Sequence, residues 1–426
     1  MELFEPNPFH YLNKKLYCEH MSIGEIVEAV GTPVYIYSKK FFTEQYREFD
    51  AAFSDLSHSI YFACKSNFNL NVIKLFYDLG CGVDVNSGGE LYRAIKAGVT
   101  SDRILLTGVG KTRDEIKLGL EYNVKMIKAE SWEEILLIDK IAAELNTVAP
   151  LAIRVNPDVD AKTHPYISTG LAENKFGIDS SEAVDLFTEA NKLKHVHLTG
   201  LDMHIGSQIT SIAPFQEAVG KMAGLYSNIK SQGVPLSHLD LGGGMGVRYK
   251  NETVFSPSDL AAAIKDTIRS LGCEVMFEPG RFLTANGGIL VAEVLYTKTN
   301  RGKSFIITDA AMTELTRPSL YGAYHHIQPV SLSSRTEIVA DIVGPVCEST
   351  DYLAKNRLIE KCAAGDKLAV MSAGAYGMVM ASNYNARRRP PEVIVDGSNF
   401  YVTRSRESFE HLLCGEELVD ALHAEK

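Results

Sequence analysis

Residues 61–90, YFACKSNFNLNVIKLFYDLGCGVDVNSGGE, contain a complete strand–helix–strand unit. A β-rich run at 61–64 is followed by apolar residues at helical spacing over 70–79, and a second β-rich run follows at 82–85. Alternation of this kind predicts parallel strands joined by crossover helices.

The same alternation continues to residue 277. The predicted strands lie at 61–64, 82–85, 104–107, 125–128, 151–155, 201–204, 239–241 and 275–277, with helices that include 70–79, 89–97, 132–145, 214–231 and 257–271. Eight units over about 220 residues favour a closed (β/α)8 TIM barrel over an open sheet.

After Arg281 the helical periodicity fades and β-rich runs dominate, at 289–296, 304–308, 336–343, 367–371 and 392–395. The predicted fold is therefore α/β, with a (β/α)8 TIM barrel plus a mostly antiparallel C-terminal β domain. We expect an N-terminal segment at 1–36 that packs with the β domain, the barrel at 37–283 and the β domain at 284–426.

Composition excludes several classes of protein. The 426 residues are 45% hydrophobic and 23% charged, which argues against extended disorder, and the net charge of −10 disfavours non-specific nucleic-acid binding. There is no apolar run of membrane-spanning length and no signal-peptide pattern at the start. The seven cysteines form no CxxC pair, so neither a disulfide framework nor a zinc ribbon is indicated, and a cytoplasmic location is expected.

Polar or glycine-rich residues follow six of the predicted strands. In a TIM barrel all of them share the C-terminal rim, where active sites are built. Six such clusters on one rim are hard to explain by packing alone. They lie at 65–67, 86–90, 154–156, 204–208, 242–244 and 278–281.

Each cluster taken alone has an ordinary explanation. Lys65 could be a surface residue, which is the usual case, or a partly desolvated amine with a lowered pKa that is suited to Schiff-base chemistry. The glycines at 242–244 could form a tight turn or bind a phosphate. His204 could be a core residue, a stacking ring or a metal ligand, although no second ligand stands at i+4, so no metal is expected. Glu278 could be a surface charge or the partner of a protonated pyridine nitrogen.

Residues 108–112, GVGKT, look like the end of a phosphate-binding P-loop. The first glycine of that motif is missing, because Leu105 stands in its place. We therefore give little weight to ATP hydrolysis.

Taken together, Lys65, His204, residues 242–244 and Glu278 resemble the fold-type III pyridoxal-phosphate enzymes. More closely, the chain resembles the diaminopimelate decarboxylase family from about residue 31 to 397. The motifs shared with the broader superfamily, which includes ornithine and arginine decarboxylases, are YFACK at 61–65, DVNSGGEL at 84–91, RVNP at 154–157, KFG at 175–177, HIGSQ at 204–208, DLGGG at 240–244 and EPGR at 278–281. The narrower resemblance rests on RPSLYGAYH at 317–325, GPVCESTD at 344–351 and GAYG at 374–377. Met245 and Cys64 depart from the usual pattern, but neither replaces a group with a chemical role.

The resemblance implies a role for each residue. It implies that Lys65 carries pyridoxal 5′-phosphate as a Schiff base, that His204 stacks on its ring and that Glu278 pairs with the ring nitrogen. It also implies that Cys347 returns a proton, reaching the site from the partner subunit of a homodimer. The further cofactor contacts are Asp84, Ser207, Gly243, Gly244, Gly280, Arg281 and Tyr376, and the substrate contacts are Arg281, Arg317, Tyr321, Glu348 and Tyr376.

The implied activity is decarboxylation of meso-2,6-diaminopimelate to L-lysine and CO2. Arginine forks can bind a carboxylate and Glu348 can bind an ammonium, so a substrate with an amino-acid group at its far end satisfies both. The alternatives are a related decarboxylase of carboxynorspermidine or a basic amino acid, and a non-catalytic homologue that only binds the cofactor. The presence of both Lys65 and Cys347 argues against the non-catalytic homologue.

Overall fold

The computed structural model describes residues 7–161, 175–419 and 422. The described residues form twenty-one strands. They are β1 (Phe9–Leu12), β2 (Lys15–Cys18), β3 (Met21–Ser22), β4 (Val34–Ser38), β5 (His58–Ala63), β6 (Gly82–Val85), β7 (Ile104–Leu106), β8 (Met126–Ala129), β9 (Ala149–Asn156), β10 (Ile178–Asp179), β11 (Val196–Asp202), β12 (His238–Asp240), β13 (Glu274–Phe277), β14 (Gly288–Asn300), β15 (Lys303–Thr308), β16 (Ile327–Pro329), β17 (Glu337–Val343), β18 (Tyr352–Glu360), β19 (Lys367–Val370), β20 (Glu392–Asp396) and β21 (Asn399–Arg404).

The α-helices connect most of the early strands, and many begin at a polar cap. Ser87, for example, accepts a hydrogen bond from the Glu90 amide at the start of the fourth helix. The helices of the described residues are α1 (Ile23–Val30), α2 (Lys39–Ala52), α3 (Leu70–Asp78), α4 (Gly88–Lys96), α5 (Arg113–Tyr122), α6 (Trp132–Glu144), α7 (Ala183–Ala190), α8 (Ala213–Ser231), α9 (Pro257–Leu271), α10 (Arg281–Thr284), α11 (Arg317–Tyr321) and α12 (Phe409–Leu412). None of these helices is both long and apolar enough to cross a membrane.

The chain divides into two compact units. The first holds residues 38–288, 372–379 and the chain up to residue 10, and the second holds residues 11–37, 289–371 and the chain from residue 380. Residues 372–379, which the sequence placed with the C-terminal β domain, thus belong to the first unit.

The first unit contains the predicted TIM barrel. The parallel strands run in the order β5, β6, β7, β8, β9, β11, β12 and β13, and the pairing of β13 with β5 closes the ring. Side chains from several strands fill the interior, which is why the strands read as nearly continuous apolar runs. Five of these side chains form one buried cluster: Tyr61, Leu105, Met126, Ala152 and Met276.

The second unit contains a sheet in the order β18–β17–β15–β14–β4–β20–β21. Its β15–β17 pair is parallel, whereas β14–β15, β17–β18 and β20–β21 are antiparallel, so the mostly antiparallel prediction is confirmed. Strand β4 is buried along its whole length. The hydroxyl of Tyr35 donates to the Glu314 carbonyl at 2.7 Å, so even the polar atom of this buried ring has a partner.

Candidate active site

Lys65 lies in a 3-10 turn directly after β5, at the C-terminal rim of the barrel. The segment at 372–377 holds this turn: the Tyr376 amide donates to the Ser66 carbonyl at 2.8 Å, and the Asn67 side-chain amide donates to the Gly374 carbonyl at 3.1 Å. The Lys65 side chain is 38% exposed, and its Nζ lies 3.9 Å from Asp84 Oδ2. The structure therefore presents the amine at the open end of the barrel, beside a buried carboxylate.

The electrostatic setting of Lys65 differs from the one expected. Burial lowers the pKa of Lys65 and is the largest single effect, but the acidic groups Asp84, Tyr376 and Glu278 together outweigh it. The net shift is upward, so the predicted lowering of this pKa is wrong. The reason is that several acidic groups lie near the amine and together favour its charged form more than burial disfavours it.

Asp84 lies in β6, one residue before the end of the strand, and is fully buried. Its Oδ2 accepts a hydrogen bond from the Asn86 side-chain amide at 3.2 Å, whereas its Oδ1 is buried without a hydrogen-bond partner among the described residues. A buried polar atom in this position requires an explanation, and a polar ligand beside Lys65 is the simplest.

The glycines that follow β12 pack closer to their neighbours than any side chain could. A Cβ on Gly243 would lie 2.2 Å from the Glu278 carbonyl oxygen, and one on Gly244 would lie 2.5 Å from that of Gly206. Gly280 is similarly tight, since a Cβ there would lie 3.0 Å from Ser66 Oγ. Bare backbone therefore lines this part of the rim, as a phosphate-binding turn requires.

His204 follows β11 and contacts the glycine turn. Its Nδ1 accepts a hydrogen bond from the Gly243 amide at 3.2 Å, which assigns the ring proton to Nε2. Burial lowers the pKa of His204 well below its ordinary value, and the positive charge of Lys65 lowers it further. The ring is neutral at physiological pH, and a neutral, partly exposed imidazole is suited to stacking on an aromatic ligand.

Arg281 is buried at the start of α10 and joins three groups on the rim. Its guanidinium donates to Ser207 Oγ at 2.9 Å and to the Tyr249 hydroxyl at 2.6 Å, and it lies over the Tyr376 ring, 4.7 Å from the centroid. The structure thus brings Arg281, Ser207 and Tyr376 together, as the resemblance implied, and adds Tyr249, which sequence reasoning missed. A fixed guanidinium next to bare backbone is a suitable partner for an anionic group.

A buried lysine that sequence reasoning also missed lies inside the barrel. Lys128 comes from β8, and its Nζ donates to Asp202 Oδ1 at 2.7 Å, to Asp240 Oδ2 at 2.6 Å and to Glu278 Oε1. The sequence signal was a lone lysine two residues after Met126 in an apolar strand, hence on the same inward face. The three acids lie close enough together to hold a metal ion, but the Lys128 ammonium contacts all of them.

The remaining implied site residues lie in the second unit. Arg317 begins α11 and is buried, with its Nη1 3.2 Å from His325 Nε2, and His325 donates from Nδ1 to the Met371 carbonyl at 2.9 Å. Tyr321 ends the same helix. Cys347 and Glu348 are both exposed, in the loop after β17.

Comparison with known proteins identifies the family. Residues 39–285 match the family model described as the pyridoxal-dependent decarboxylase, pyridoxal binding domain. A curated diaminopimelate decarboxylase of Aquifex aeolicus is 44% identical over 416 residues, which cover 97% of this chain and 99% of the relative. The chain belongs to the diaminopimelate decarboxylase family. Another family member, from Pseudomonas aeruginosa, is 44% identical over 411 residues, covering 96% of this chain and 99% of its own.

Solved structures of the diaminopimelate decarboxylase family have the same fold. The Helicobacter pylori enzyme complexed with L-lysine has a TM-score of 0.89 and 39% identity, with 92% of this chain and 98% of that chain covered. The M. jannaschii enzyme in co-complex with L-lysine has a TM-score of 0.92 and 35% identity, with 97% and 98% covered. The two-part architecture is therefore that of the family.

The family's cofactor is pyridoxal phosphate, and the residues of this chain fit it. The unpartnered Asp84 Oδ1 and the Lys65 amine offer polar contacts at the rim, and the glycine turn packs closely against its neighbours as backbone without side chains. The Arg281 guanidinium, held by Ser207, adds a positive charge. These residues together can therefore bind a molecule that carries an aldehyde, a basic heterocycle and a phosphate.

Proposed function

We propose that this chain decarboxylates meso-2,6-diaminopimelate to L-lysine and CO2. The observation that carries the proposal is the placement of the Lys65 amine and the Glu278 carboxyl at the ends of β5 and β13, adjacent strands of a barrel from this decarboxylase family. The relatives of H. pylori and M. jannaschii, whose structures contain L-lysine, support the choice of product.

Lys65, His204 and Glu278 would hold the cofactor ring, and Asp84 would contribute at the Lys65 amine. Ser207, Gly243, Gly244, Gly280, Arg281 and Tyr376 would hold the phosphate. Bound pyridoxal phosphate supplies a conjugated cationic ring that takes up the electron pair left at Cα when CO2 departs.

The charges around Glu278 suit its proposed pairing with the ring nitrogen. Burial raises the pKa of the Glu278 carboxyl well above its usual range, Asp84 adds to the rise, and Lys128 opposes it. Because these effects act on its pKa in opposite directions, the Glu278 carboxyl can share a proton with a basic nitrogen. An arginine at this position could not, because it has no acceptor atom.

Substrate selection is proposed for Arg317, Tyr321 and Glu348 of the second unit, together with Arg281 and Tyr376. The His325 ring fixes the Arg317 side chain, because His325 is itself oriented by the Met371 carbonyl. Glu348 accepts a hydrogen bond from the Tyr384 hydroxyl at 3.3 Å, and its carboxylate stays exposed for an ammonium. A diamine precursor that lacks the distal carboxylate would leave Arg317 without its anionic partner, which costs more than a lost neutral contact.

A substrate panel tests the proposal. The purified protein is assayed for CO2 release from meso-diaminopimelate, L-ornithine, L-lysine, L-arginine and carboxynorspermidine, with and without added pyridoxal phosphate. We expect release from diaminopimelate, with L-lysine formed in equal amount, and a preference over ornithine of about 10³-fold or more. Release from ornithine but not from diaminopimelate would contradict the assignment.

We also propose that the protein is a homodimer in which Cys347 of one subunit returns the proton in the site of the other. Cys347 is exposed in the single chain, which leaves it accessible to the site of a second subunit. This supports the role, because a proton donor acts only when it lies within reach of the atom that receives the proton. Seven unpaired cysteines also agree with action in the cytoplasm, where thiols stay reduced.

Mixing two inactive variants tests the shared site. Lys65→Ala and Cys347→Ala, unfolded together and refolded, are expected to recover about a quarter of wild-type activity, because half of the dimers then contain one intact site. The matched control pairs Lys65→Ala with a chain carrying both substitutions, which contains no intact site. If sedimentation shows mixed dimers and activity stays absent, Cys347 does not act across the interface.

A further inference from the structure

We propose that Lys128 is a positioning residue for Glu278: its buried ammonium holds the Glu278 carboxyl at the barrel rim and balances the acids packed around it. The inference rests on the proposed function, because it takes Glu278 as the partner of the cofactor ring nitrogen. Lys128 itself is not placed in contact with cofactor or substrate.

Lys128 forms ion pairs that connect opposite sides of the barrel. In the ring of eight strands, β8 lies four places from β13, so Lys128 reaches Glu278 across the interior. Lys128 is fully buried, and its Nζ contacts carboxylates from β11, β12 and the end of β13. Met126 and Met276 pack in the apolar layer below, two residues before Lys128 and Glu278. The ammonium therefore lies between this apolar layer and the three carboxylates.

The ion pairs of Lys128 also connect to the glycine turn. Asp240 binds the Lys128 ammonium through Oδ2 and accepts the Gly242 amide through Oδ1 at 2.8 Å. The Gly242 carbonyl in turn accepts the Glu278 amide at 2.7 Å. One ammonium thus holds both the side chain of Glu278 and, through Asp240, the turn that fixes its backbone.

The charges around Lys128 explain why the ammonium is needed. Asp202, Asp240, Glu278 and the more distant Asp84 face it, and the Lys65 ammonium and the neutral His204 ring lie on the rim side. Burial lowers the pKa of Lys128, but the acids outweigh this and raise it well above its ordinary value, so the amine stays charged. Burial raises the pKa of Asp240 to about 6 even with Lys128 beside it. Without Lys128 the three nearest acids would repel one another, and Glu278 would retain its proton more firmly.

A second buried lysine, Lys111, has its carboxylate partner outside the proposed cofactor site. Lys111 Nζ donates to the Gly108 carbonyl at 2.7 Å and pairs with Glu134 Oε1 at 2.8 Å, and it also bonds the backbone carbonyl of Lys128. None of its side-chain partners belongs to the proposed cofactor site. Lys111→Met is therefore the matched control for the loss of a buried, paired ammonium.

The experiment compares wild type, Lys128→Met, Lys128→Met/Asp202→Asn and Lys111→Met. The double variant removes one ammonium and one carboxylate together, so the formal charge of the cluster is unchanged while the contact with Glu278 is lost. Each holoprotein is titrated from acid to alkaline pH by the absorbance of bound pyridoxal phosphate, and kcat and KM for diaminopimelate are measured in parallel.

For Lys128→Met we expect the midpoint of the absorbance titration to rise by about one pH unit or more, the size of effect that a lost adjacent opposite charge produces. For the double variant we expect a smaller rise in the same direction, because Glu278 still lacks its ammonium contact while the formal charge of the cluster is unchanged. We expect kcat to fall at least about tenfold with little change in KM, because the substrate-binding residues are untouched. Lys111→Met should unfold at lower temperature and keep the wild-type midpoint and kcat.

A wild-type midpoint and kcat in the double variant would overturn the proposal, and so would equal shifts in Lys111→Met. If Lys128→Met does not fold, the double variant decides. The absorbance titration needs no substrate, so it still judges the role of Lys128 if wild type fails to act on diaminopimelate.

Discussion

Replacing Lys65 with alanine is expected to abolish the visible absorbance of the holoprotein and to lower CO2 release on the order of 10⁴-fold. Lys65 is the lysine whose side chain is exposed at the barrel rim, 3.9 Å from Asp84, whereas Lys111 and Lys128 are buried with carboxylate partners. No other described amine of the barrel interior can therefore take its place without breaking an ion pair.

The control for Lys65→Ala is Lys111→Met, which removes a different amine from the same barrel and should retain both the absorbance and the activity. Far-ultraviolet circular dichroism shows whether each variant is folded. A folded Lys65→Ala protein that keeps the visible band would show that another residue carries the cofactor.

Glu278→Gln is expected to lower kcat on the order of 10²–10³-fold while pyridoxal phosphate still binds, because the change removes one preorganised charge and keeps the shape of the side chain. The amide oxygen of glutamine can still accept the Lys128 ammonium, so the barrel interior should stay folded. What is lost is the acidic group proposed to keep the ring nitrogen protonated.

The matched control for Glu278→Gln is Glu274→Gln, at the opposite end of β13. Glu274 pairs with His238 at 3.4 Å and with the Ser59 hydroxyl, away from the C-terminal rim. Its loss should affect stability and leave kcat within about twofold, as for other residues outside the site. Equal losses of kcat in the two variants would argue that the effect of Glu278→Gln is structural.

The barrel could be predicted from sequence because each strand–helix unit has a local signature. The eight predicted strands all occur, and the helices at 70–79 and 257–271 match α3 and α9 to within a residue. In the second unit β18 and β21 were missed, because their exposed positions carry residues such as Leu358, Tyr401 and Val402 and no clean alternation results.

The site residues could be predicted where a chemically reactive side chain stands at the end of a predicted strand. Lys65, His204 and Glu278 each do so, and each lies on the rim in the structure. Lys128 was missed because its meaning depends on partners 74, 112 and 150 residues away, and no local pattern brings them together. The direction of the Lys65 pKa shift was wrong for the same reason, since it depends on Asp84 from the neighbouring strand.

The central claim is that the Lys65 amine at the barrel rim carries the cofactor that Glu278 activates. Borohydride reduction of the holoprotein fixes pyridoxal phosphate to the amine that holds it, and peptide mass spectrometry then identifies that residue. We predict a single pyridoxyl-modified peptide, the one containing Lys65. Modification of Lys111 or Lys128 in its place, or no modification of a protein that releases CO2 from diaminopimelate, would contradict the account.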